Sequence, residues 1–209
     1  MPDRDLGRPV TVINRFTVTG DIGEFERAFR EHSQFLRMRP GFDFLVTVRL
    51  IDAPQVYVHL GHWRHLRGFL DTVHHDVFLE HVRRLGPLVD TEADQAVSVG
   101  RVLRTNAAVG AANVVITWAD VSDDWREFER RFAELDYQCD RLEGFGGSDL
   151  LRSTVQPLAY TGVQWWRTAE DCERALRSRG YRAGYRALSG IAKITTERTR
   201  HIAYERVID

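Results

Sequence analysis

The chain has 209 residues, of which 43% are hydrophobic and 28% charged, and its formal net charge at pH 7 is −1. This composition is typical of a globular protein of one large or two small domains. The near-neutral charge argues against a dedicated nucleic-acid or membrane-surface role, and no apolar run approaches the ~20 residues of a membrane span. The polar N-terminus has no signal-peptide core, so we expect a cytoplasmic protein.

The first half of the chain has the predicted element order βαββαβ, which is that of a ferredoxin-like unit. Strands are indicated by alternating apolar residues, and helices by apolar residues at helical spacing. The predicted elements are a strand over 9–18, a helix capped by Asp21 and ended by Arg39-Pro40-Gly41, strands over 42–50 and around Tyr57, helical periodicity over 66–85 with a break near 73–75, and a strand over 91–103.

The second half of the chain repeats the first at an offset of 103 residues. Glu127-Phe128-Glu129-Arg130 lies 103 residues after Glu24-Phe25-Glu26-Arg27, and Gly144 lies 103 after Gly41. The register holds from the first strand to the second helix, which indicates an internal duplication. We expect a first domain over 1–105, a linker over 106–112 and a second domain over 113–209. Both glycines are expected in the left-handed conformation after a helix.

In each repeat the third strand ends in a tryptophan, Trp63 or Trp166, and an amphipathic helix follows. This arrangement resembles the antibiotic biosynthesis monooxygenase family of dimeric α/β barrels, once per repeat. The resemblance implies an α+β fold in which two tandem ferredoxin-like (βαββαβ) domains form an intrachain dimeric α/β barrel. It also implies a monooxygenase acting on a polycyclic aromatic polyketide intermediate, by phenol or anthrone oxidation or by the oxidative ring opening of tandem members that act on angucyclines.

Family members line the pocket with a strand-three Asn, a Trp four residues later and an Arg twenty residues beyond the Trp. Here Trp63 and Arg83 keep that spacing, His59 replaces the Asn, and Asn14 represents a strand-one Asn of some members. We expect His59 to take a phenolic proton, because imidazole titrates near neutral pH. Arg83 would hold the oxyanion and Asn14 would orient a carbonyl. The predicted substrate-binding residues are Trp63, Tyr57, Phe16, Phe69 and Phe78.

The second repeat keeps Trp166 and Arg186 but has Gly162 and Thr117 where the first has its His and Asn. Seven of the eight histidines lie in the first repeat. We therefore expect one productive pocket, between the sheet and helices of the first repeat, and a degenerate second repeat. The repeated Trp and Arg also fit packing and surface ion-pair roles, and a buried, hydrogen-bonded His remains the structural alternative at position 59.

The resemblance implies O2 as co-substrate and no tightly bound cofactor. Reduced flavin (FMNH2 or FADH2) from a flavin reductase is an additional candidate co-substrate. The expected partner is a small polycyclic aromatic molecule, with no nucleic acid and no membrane, and the protein is expected to be a monomeric pseudo-dimer or a homodimer. A non-enzymatic alternative is a ligand-binding or cyclase-like barrel, which needs an apolar cavity but no proton-transfer residue.

The histidines also raise the alternatives of a metal or haem site. Strand alternation places His59 and His62 on opposite faces, so they cannot ligate one ion, and we predict no metal. The stretch ending in His81 resembles the ligand helix of haem-degrading relatives, but Thr72 stands where their second pocket Trp would fall. The two cysteines, at 139 and 172, form neither a disulfide framework nor a metal motif and are expected as reduced thiols.

Overall fold

The computed structural model describes residues 5–206, with side chains described through residue 204. Each repeat contributes four strands and three α-helices to this part of the chain, and no helix in it is long and apolar enough to span a membrane. The elements are β1 Val10–Val18, α1 Ile22–Arg37, β2 Phe42–Leu50, β3 Val56–Trp63, α2 Leu66–Val73, α3 Asp76–Leu85, β4 Val89–Leu103, β5 Val114–Val121, α4 Trp125–Asp140, β6 Phe145–Ser153, β7 Ala159–Trp166, α5 Ala169–Arg177, α6 Arg179–Ser189 and β8 Ala192–Arg206.

The first helix of each repeat begins at an Asp N-cap and is followed by a Gly in the left-handed conformation. The Asp21 carboxylate accepts a 2.7 Å hydrogen bond from the amide of Glu24, and Asp124 caps α4 in the same way. Gly41 and Gly144 follow these helices with φ of +82° each, which confirms the predicted left-handed conformation. An ideal Cβ at Gly41 would also lie 2.6 Å from the ring of His65, so a larger residue there would require the ring to move.

The strands hydrogen-bond in the order β1-β3-β2-β8-β5-β7-β6-β4, and the order is closed. The antiparallel series β1-β3-β2 and β5-β7-β6 are those of ferredoxin-like units. The predicted α+β class is confirmed, and the closed order is the one that a dimeric α/β barrel requires. β3 is central in its series, so seven of its eight residues are buried.

The chain divides into two compact units, each built around the first three strands of one repeat. Within the described residues, unit 1 comprises 5–49, 53–95 and 203–206, and unit 2 comprises 50–52 and 96–202. The long strands β4 and β8 each contribute residues to both units. The domain boundaries at 105 and 113 follow the sequence duplication and remain a prediction.

The apolar interior differs between the two units. In unit 1, Tyr57 and Trp63 belong to two separate hydrophobic clusters, although both lie on β3. In unit 2 the corresponding residues, Tyr160 and Trp166, belong to one cluster. His59 lies between Tyr57 and Trp63 on the same face of β3, so the apolar core of unit 1 is interrupted at a histidine.

Candidate functional site

His59 is buried in unit 1 between the sheet and α1. It is 3% exposed, and the ring of Phe29 on α1 meets it edge-on at 5.0 Å between centroids. Thr47 lies opposite His59 in the β2–β3 register, and its hydroxyl is 3.2 Å from His59 Nδ1. This contact occupies one ring nitrogen and leaves Nε2 for a second partner.

Gly61, two residues along the same strand face, leaves room for an added carbon atom. An ideal Cβ at Gly61 would lie 3.4 Å from His59 Nε2 and 3.7 Å from Trp63 Nε1, with no nearer neighbour. Two ring nitrogens therefore border one space, which we call the Gly61 gap. A neutral imidazole nitrogen can accept a hydrogen bond and an indole nitrogen can donate one, so the gap suits a group with both functions, such as a hydroxyl.

The equivalent space in unit 2 is filled. Gly162 stands in place of His59, and an ideal Cβ there would lie 2.6 Å from the ring of Phe132, which packs onto the bare backbone. Gln164 stands in place of Gly61, and its side chain is buried. The two repeats share a backbone pattern, but only the first leaves room between the central strand and its Trp.

Two more histidines continue from His59 towards the helices. His32 on α1 is buried, and its ring lies 5.5 Å from that of His81 on α3, which is half-buried. The Nδ1 atom of His32 is buried without a hydrogen-bond partner among the described residues. Phe78 packs edge-on against His32 at 5.2 Å, which places this predicted substrate-binding residue in the same cluster.

Burial keeps these two inner imidazoles neutral. Desolvation, with a smaller contribution from neighbouring His32, lowers the pKa of His59 to about 3. Desolvation and the nearby His81 lower the pKa of His32 to about 4. The expectation that His59 titrates near neutral pH is therefore wrong: it is uncharged throughout the physiological range.

Of the other predicted pocket residues, some lie near the gap and some lie in the apolar core. Asn14 is half-buried and pairs directly with His59 in the β1–β3 register. Phe69 packs edge-on against Trp63 at 5.7 Å. Tyr57 instead lies in an apolar cluster with Phe16, and its hydroxyl donates a 2.6 Å hydrogen bond to Glu26. The structure therefore brings Asn14 and Trp63 to His59, and it places Tyr57 and Phe16 in the packed core beside it.

Arg83 does not join this group. It is exposed, and it follows His81 by two residues, which turns it about 200° around α3. Because His81 faces the core, Arg83 faces away from it. The expected role for Arg83 in holding an oxyanion beside His59 is not supported by its position, although its spacing from Trp63 matches the family.

Several of the remaining histidines have local structural roles. The ring of His65 caps α2 by accepting a 2.9 Å hydrogen bond from the amide of Gly68, and His75 caps α3 in the same way. His62 points to the opposite face of β3 from His59, as predicted, and its Nδ1 lies 2.9 Å from the hydroxyl of Thr11. No group of three His, Cys, Asp or Glu residues among those described is arranged to hold a metal ion.

Unit 2 has a buried polar network that the sequence analysis missed. The Asp136 carboxylate on α4 accepts hydrogen bonds from the Ser148 hydroxyl at 2.6 Å and from the Gln164 amide at 2.8 Å. Burial raises the pKa of Asp136 to about 6. The counterparts 103 residues earlier include Leu45 and Gly61, which have no polar side chain. A position-by-position comparison of the two repeats would have shown that these polar residues are specific to the second repeat.

A cleft of about 280 Å³ also opens on unit 2. It is slightly smaller than the ~300–1,000 Å³ of typical ligand pockets. The ring of Trp166 packs against Tyr181 at 6.4 Å, and Tyr181 and Arg186 both line the cleft. Its lining residues are Leu176, Tyr181, Arg182, Tyr185, Arg186 and Thr196. Arg186 thus lines a cleft that has no histidine, and Trp166 lies buried behind Tyr181.

Both cysteines are free thiols buried in unit 2. Desolvation is the main reason that the pKa of Cys172 rises to about 12, and it also raises the pKa of Cys139. Neither thiol is therefore available as a thiolate nucleophile at neutral pH.

Comparison with known proteins connects this architecture to a family. The family model described as antibiotic biosynthesis monooxygenase matches residues 114–187, which lie in the second repeat. A deoxynogalonate monooxygenase from Streptomyces nogalater is 34% identical over 83 residues, which are 40% of this chain and 70% of that protein.

Solved structures agree in fold. A protein from Fusobacterium nucleatum superposes with a TM-score of 0.81 over 96% of this chain and 95% of its own, at 9% identity. A mutant of SnoaB, a cofactor-independent oxygenase from Streptomyces nogalater, is 30% identical over 44% of this chain and 94% of its own, with a TM-score of 0.43. Because the deoxynogalonate monooxygenase is 34% identical and is matched over 70% of its own length, the chain belongs to the antibiotic biosynthesis monooxygenase family and is a monooxygenase of that type.

Proposed function

We propose that this protein oxidises a hydroxylated polycyclic aromatic polyketide intermediate, of the phenol or anthrone class, with the reacting group of the substrate at the Gly61 gap of unit 1. The observation that carries the proposal is the gap itself, where His59 Nε2 and Trp63 Nε1 both lie within 4 Å of the position that a Cβ at Gly61 would take. The reaction class is supported by the name of the Streptomyces nogalater deoxynogalonate monooxygenase and by the description of SnoaB as a cofactor-independent oxygenase. Oxidative ring opening of such a substrate is a variant of the same proposal.

The proposed reaction starts with loss of a substrate proton to His59. For an anthrone, removal of a proton from the CH2 group gives an electron-rich anion that transfers an electron to O2. Recombination gives a hydroperoxide, which loses water and leaves a ketone, so that CH2 + O2 becomes C=O + H2O. His59 is neutral and therefore able to accept the proton, and the adjacent substrate anion stabilises the imidazolium that forms.

The developing negative charge needs hydrogen-bond donors in this site. With Arg83 facing solvent, we assign that role to the Trp63 indole N–H and to the amide of Asn14, which pairs with His59 across the sheet. The aromatic rings of Trp63, Phe69 and Phe78 provide flat apolar walls for the fused rings of the substrate.

The substrate anion itself supplies electrons to O2, so the proposal includes no tightly bound cofactor. The description of SnoaB as cofactor-independent supports this choice. Reduced flavin, delivered by a separate reductase, is the alternative co-substrate. Oxygen uptake that depends on added reduced flavin would favour that alternative.

A second candidate function is non-oxidative binding of a polyketide, as in a cyclase-like barrel. One observation favours it: burial lowers the pKa of His59 to about 3, which makes it a weak base and a good neutral hydrogen-bond acceptor. In that case replacement of His59 would weaken binding, and the wild-type protein would consume no oxygen.

The test is oxygen uptake with 1,8-dihydroxyanthrone as probe, with and without reduced flavin. The rate measured with heat-denatured protein, which reports autoxidation of the probe, is subtracted. His59→Ala is expected to lower kcat by ~10²–10⁴-fold. Trp63→Phe should also lower turnover, whereas Trp166→Phe, its buried counterpart in unit 2, should not. Equal losses in the two Trp variants would place the reaction elsewhere, and full activity of His59→Ala would remove it as the base.

A further inference from the structure

The cleft on unit 2, which we call the α6 cleft because four of its six lining residues lie on α6, has side-chain chemistry that the first repeat lacks. Three of its lining residues are polar where the residues 103 positions earlier are apolar: Arg182 for Leu79, Tyr185 for Val82 and Thr196 for Ala93. A repeat that had only lost a function would lack polar groups. Here a charge and two hydroxyls stand together around one cleft.

Two cations lie at the α6 cleft without a counter-ion. Arg182 and Arg186 are four residues apart on α6, so they lie on the same face of the helix, and both line the cleft. Neither guanidinium forms an ion pair within residues 5–204, and the lining residues include no Asp or Glu. On α5, by contrast, Arg174 and Arg177 each pair with a carboxylate of their own helix. The cleft therefore favours an anion, and paired guanidinium groups suit a carboxylate.

The walls of the α6 cleft are apolar and aromatic. Tyr181 and Tyr185, also four residues apart on α6, present two rings, and Leu176 of α5 adds an aliphatic surface. Ring faces of this kind pack against planar aromatic groups. The volume of about 280 Å³ is just below that of typical ligand pockets, which suits a body of one or two rings.

Two hydroxyls of the cleft residues lack a hydrogen-bond partner. Thr196 Oγ1 and the Tyr181 hydroxyl are both buried and have no partner among the described side chains and backbone groups. Tyr181 as a whole is only 5% exposed. Buried polar atoms are nearly always satisfied by protein, water or ligand, so these two require a group that the chain does not supply.

We propose that the α6 cleft binds a small hydroxylated aromatic carboxylate of one or two rings. The carboxylate is held by Arg182 and Arg186, and the ring packs against Tyr181 and Tyr185. The cleft has neither a histidine nor a carboxylate to take up a proton, so we assign it binding without conversion. It shares no residue with the Gly61 gap, and this second site does not depend on the oxidation proposed for unit 1.

The test is isothermal titration of the whole protein with 3-hydroxy-2-naphthoate. 2-Naphthol, which lacks the carboxylate, and inorganic phosphate, which lacks the rings, should each bind at least tenfold more weakly. Arg182→Gln and Arg186→Gln should each raise the Kd for the naphthoate about tenfold, since each removes a charge-assisted hydrogen bond. Arg83→Gln, which changes the exposed counterpart of Arg186 in unit 1, is the matched control and should bind as the wild type does.

The proposal is wrong if the wild type shows no saturable binding of the naphthoate, or if 2-naphthol or phosphate binds equally well. Wild-type Kd values in folded Arg182→Gln and Arg186→Gln would also overturn it. Gly61→Gln, which fills the gap of unit 1, should keep full binding, and loss of binding in that variant would refute a site on unit 2. Naphthoate binding by a protein that consumes no oxygen would keep this inference and refute the proposed function.

Discussion

Acid should destabilise this protein through its buried histidines, and His32→Leu should remove a measurable part of that effect. The folded protein disfavours the charged form of His32, whose pKa falls from 6.5 to about 4. The unfolded chain therefore takes up the proton first as the pH falls. The stabilising contribution is complete above about pH 6.5 and is lost as the pH falls towards the folded-state pKa.

The magnitude follows from the two pKa values of His32. With 6.5 for the unfolded chain and about 4 for the folded protein, linkage gives a loss of about 1.4 kcal/mol at about pH 5.5 and about 2.5 kcal/mol at about pH 4.5. Leucine is close to histidine in size and is the residue that the second repeat uses at this position. The variant should therefore fold and should lose less stability in acid than the wild type.

The assay is urea unfolding at about pH 7.5 and about pH 4.5, followed by circular dichroism and tryptophan fluorescence. Comparing wild type with variant removes the contributions of other groups, including the opposite one from Asp136, because these are present in both proteins. His74→Gln serves as an exposed control and should show the wild-type pH dependence. If His32→Leu loses as much stability between the two pH values as the wild type does, folding does not keep His32 neutral.

Two further predictions concern stability. Gly41→Ala and Gly144→Ala should each destabilise by about 1 kcal/mol or more, because both positions have φ of +82° and a Cβ would strike a neighbouring side chain. Gly86→Ala, where nothing lies within 4 Å of an added Cβ, is the control. If Gly41→Ala and Gly144→Ala melt at the same temperature as Gly86→Ala and the wild type, the explanation is wrong. For Asp136, whose folded pKa of about 6 lies above 3.8, stability is present at low pH and is lost as the pH rises through 6. Asp136→Asn should thus stabilise by about 1–3 kcal/mol above that pH, with its amide able to donate to the unpartnered oxygen of Gln164, and no gain in urea unfolding would count against the buried charge.

Much of the fold could be predicted because local signals and the duplication agree. Alternating apolar residues predicted β2 with the ends that the structure shows. The sequence around His74 and His75 also indicated the helix break before α3. Asp21 and Gly41 mark the start and end of α1 through backbone chemistry that depends on few neighbours. Because the two halves align at a constant offset of 103 residues, each element of the first half predicts one in the second half.

The site was harder to predict, because it depends on which side chains meet across elements. Strand alternation placed His59 and Trp63 on one face correctly. The rotation of α3 decided that His81 faces the core and Arg83 faces solvent, and the spacing from Trp63 carried no information about that rotation. The pKa of His59 depends on burial by α1, which no motif records. His32 was detectable in principle, since its counterpart is Leu135.

If the reacting group of the substrate occupies the Gly61 gap of unit 1, filling that gap should stop the reaction. Gly61→Gln introduces the residue that unit 2 carries at Gln164, and Gly61→Ala is the graded control because its Cβ would lie 3.4 Å from His59 Nε2, within ordinary contact. The measurement is kcat/KM for oxygen uptake with 1,8-dihydroxyanthrone, together with urea unfolding to confirm that both variants fold. We expect a loss of ~10²-fold or more for Gly61→Gln, comparable with removal of the general base, and a smaller loss for Gly61→Ala. A folded Gly61→Gln protein with wild-type kcat/KM would contradict the placement of the reacting group in the gap.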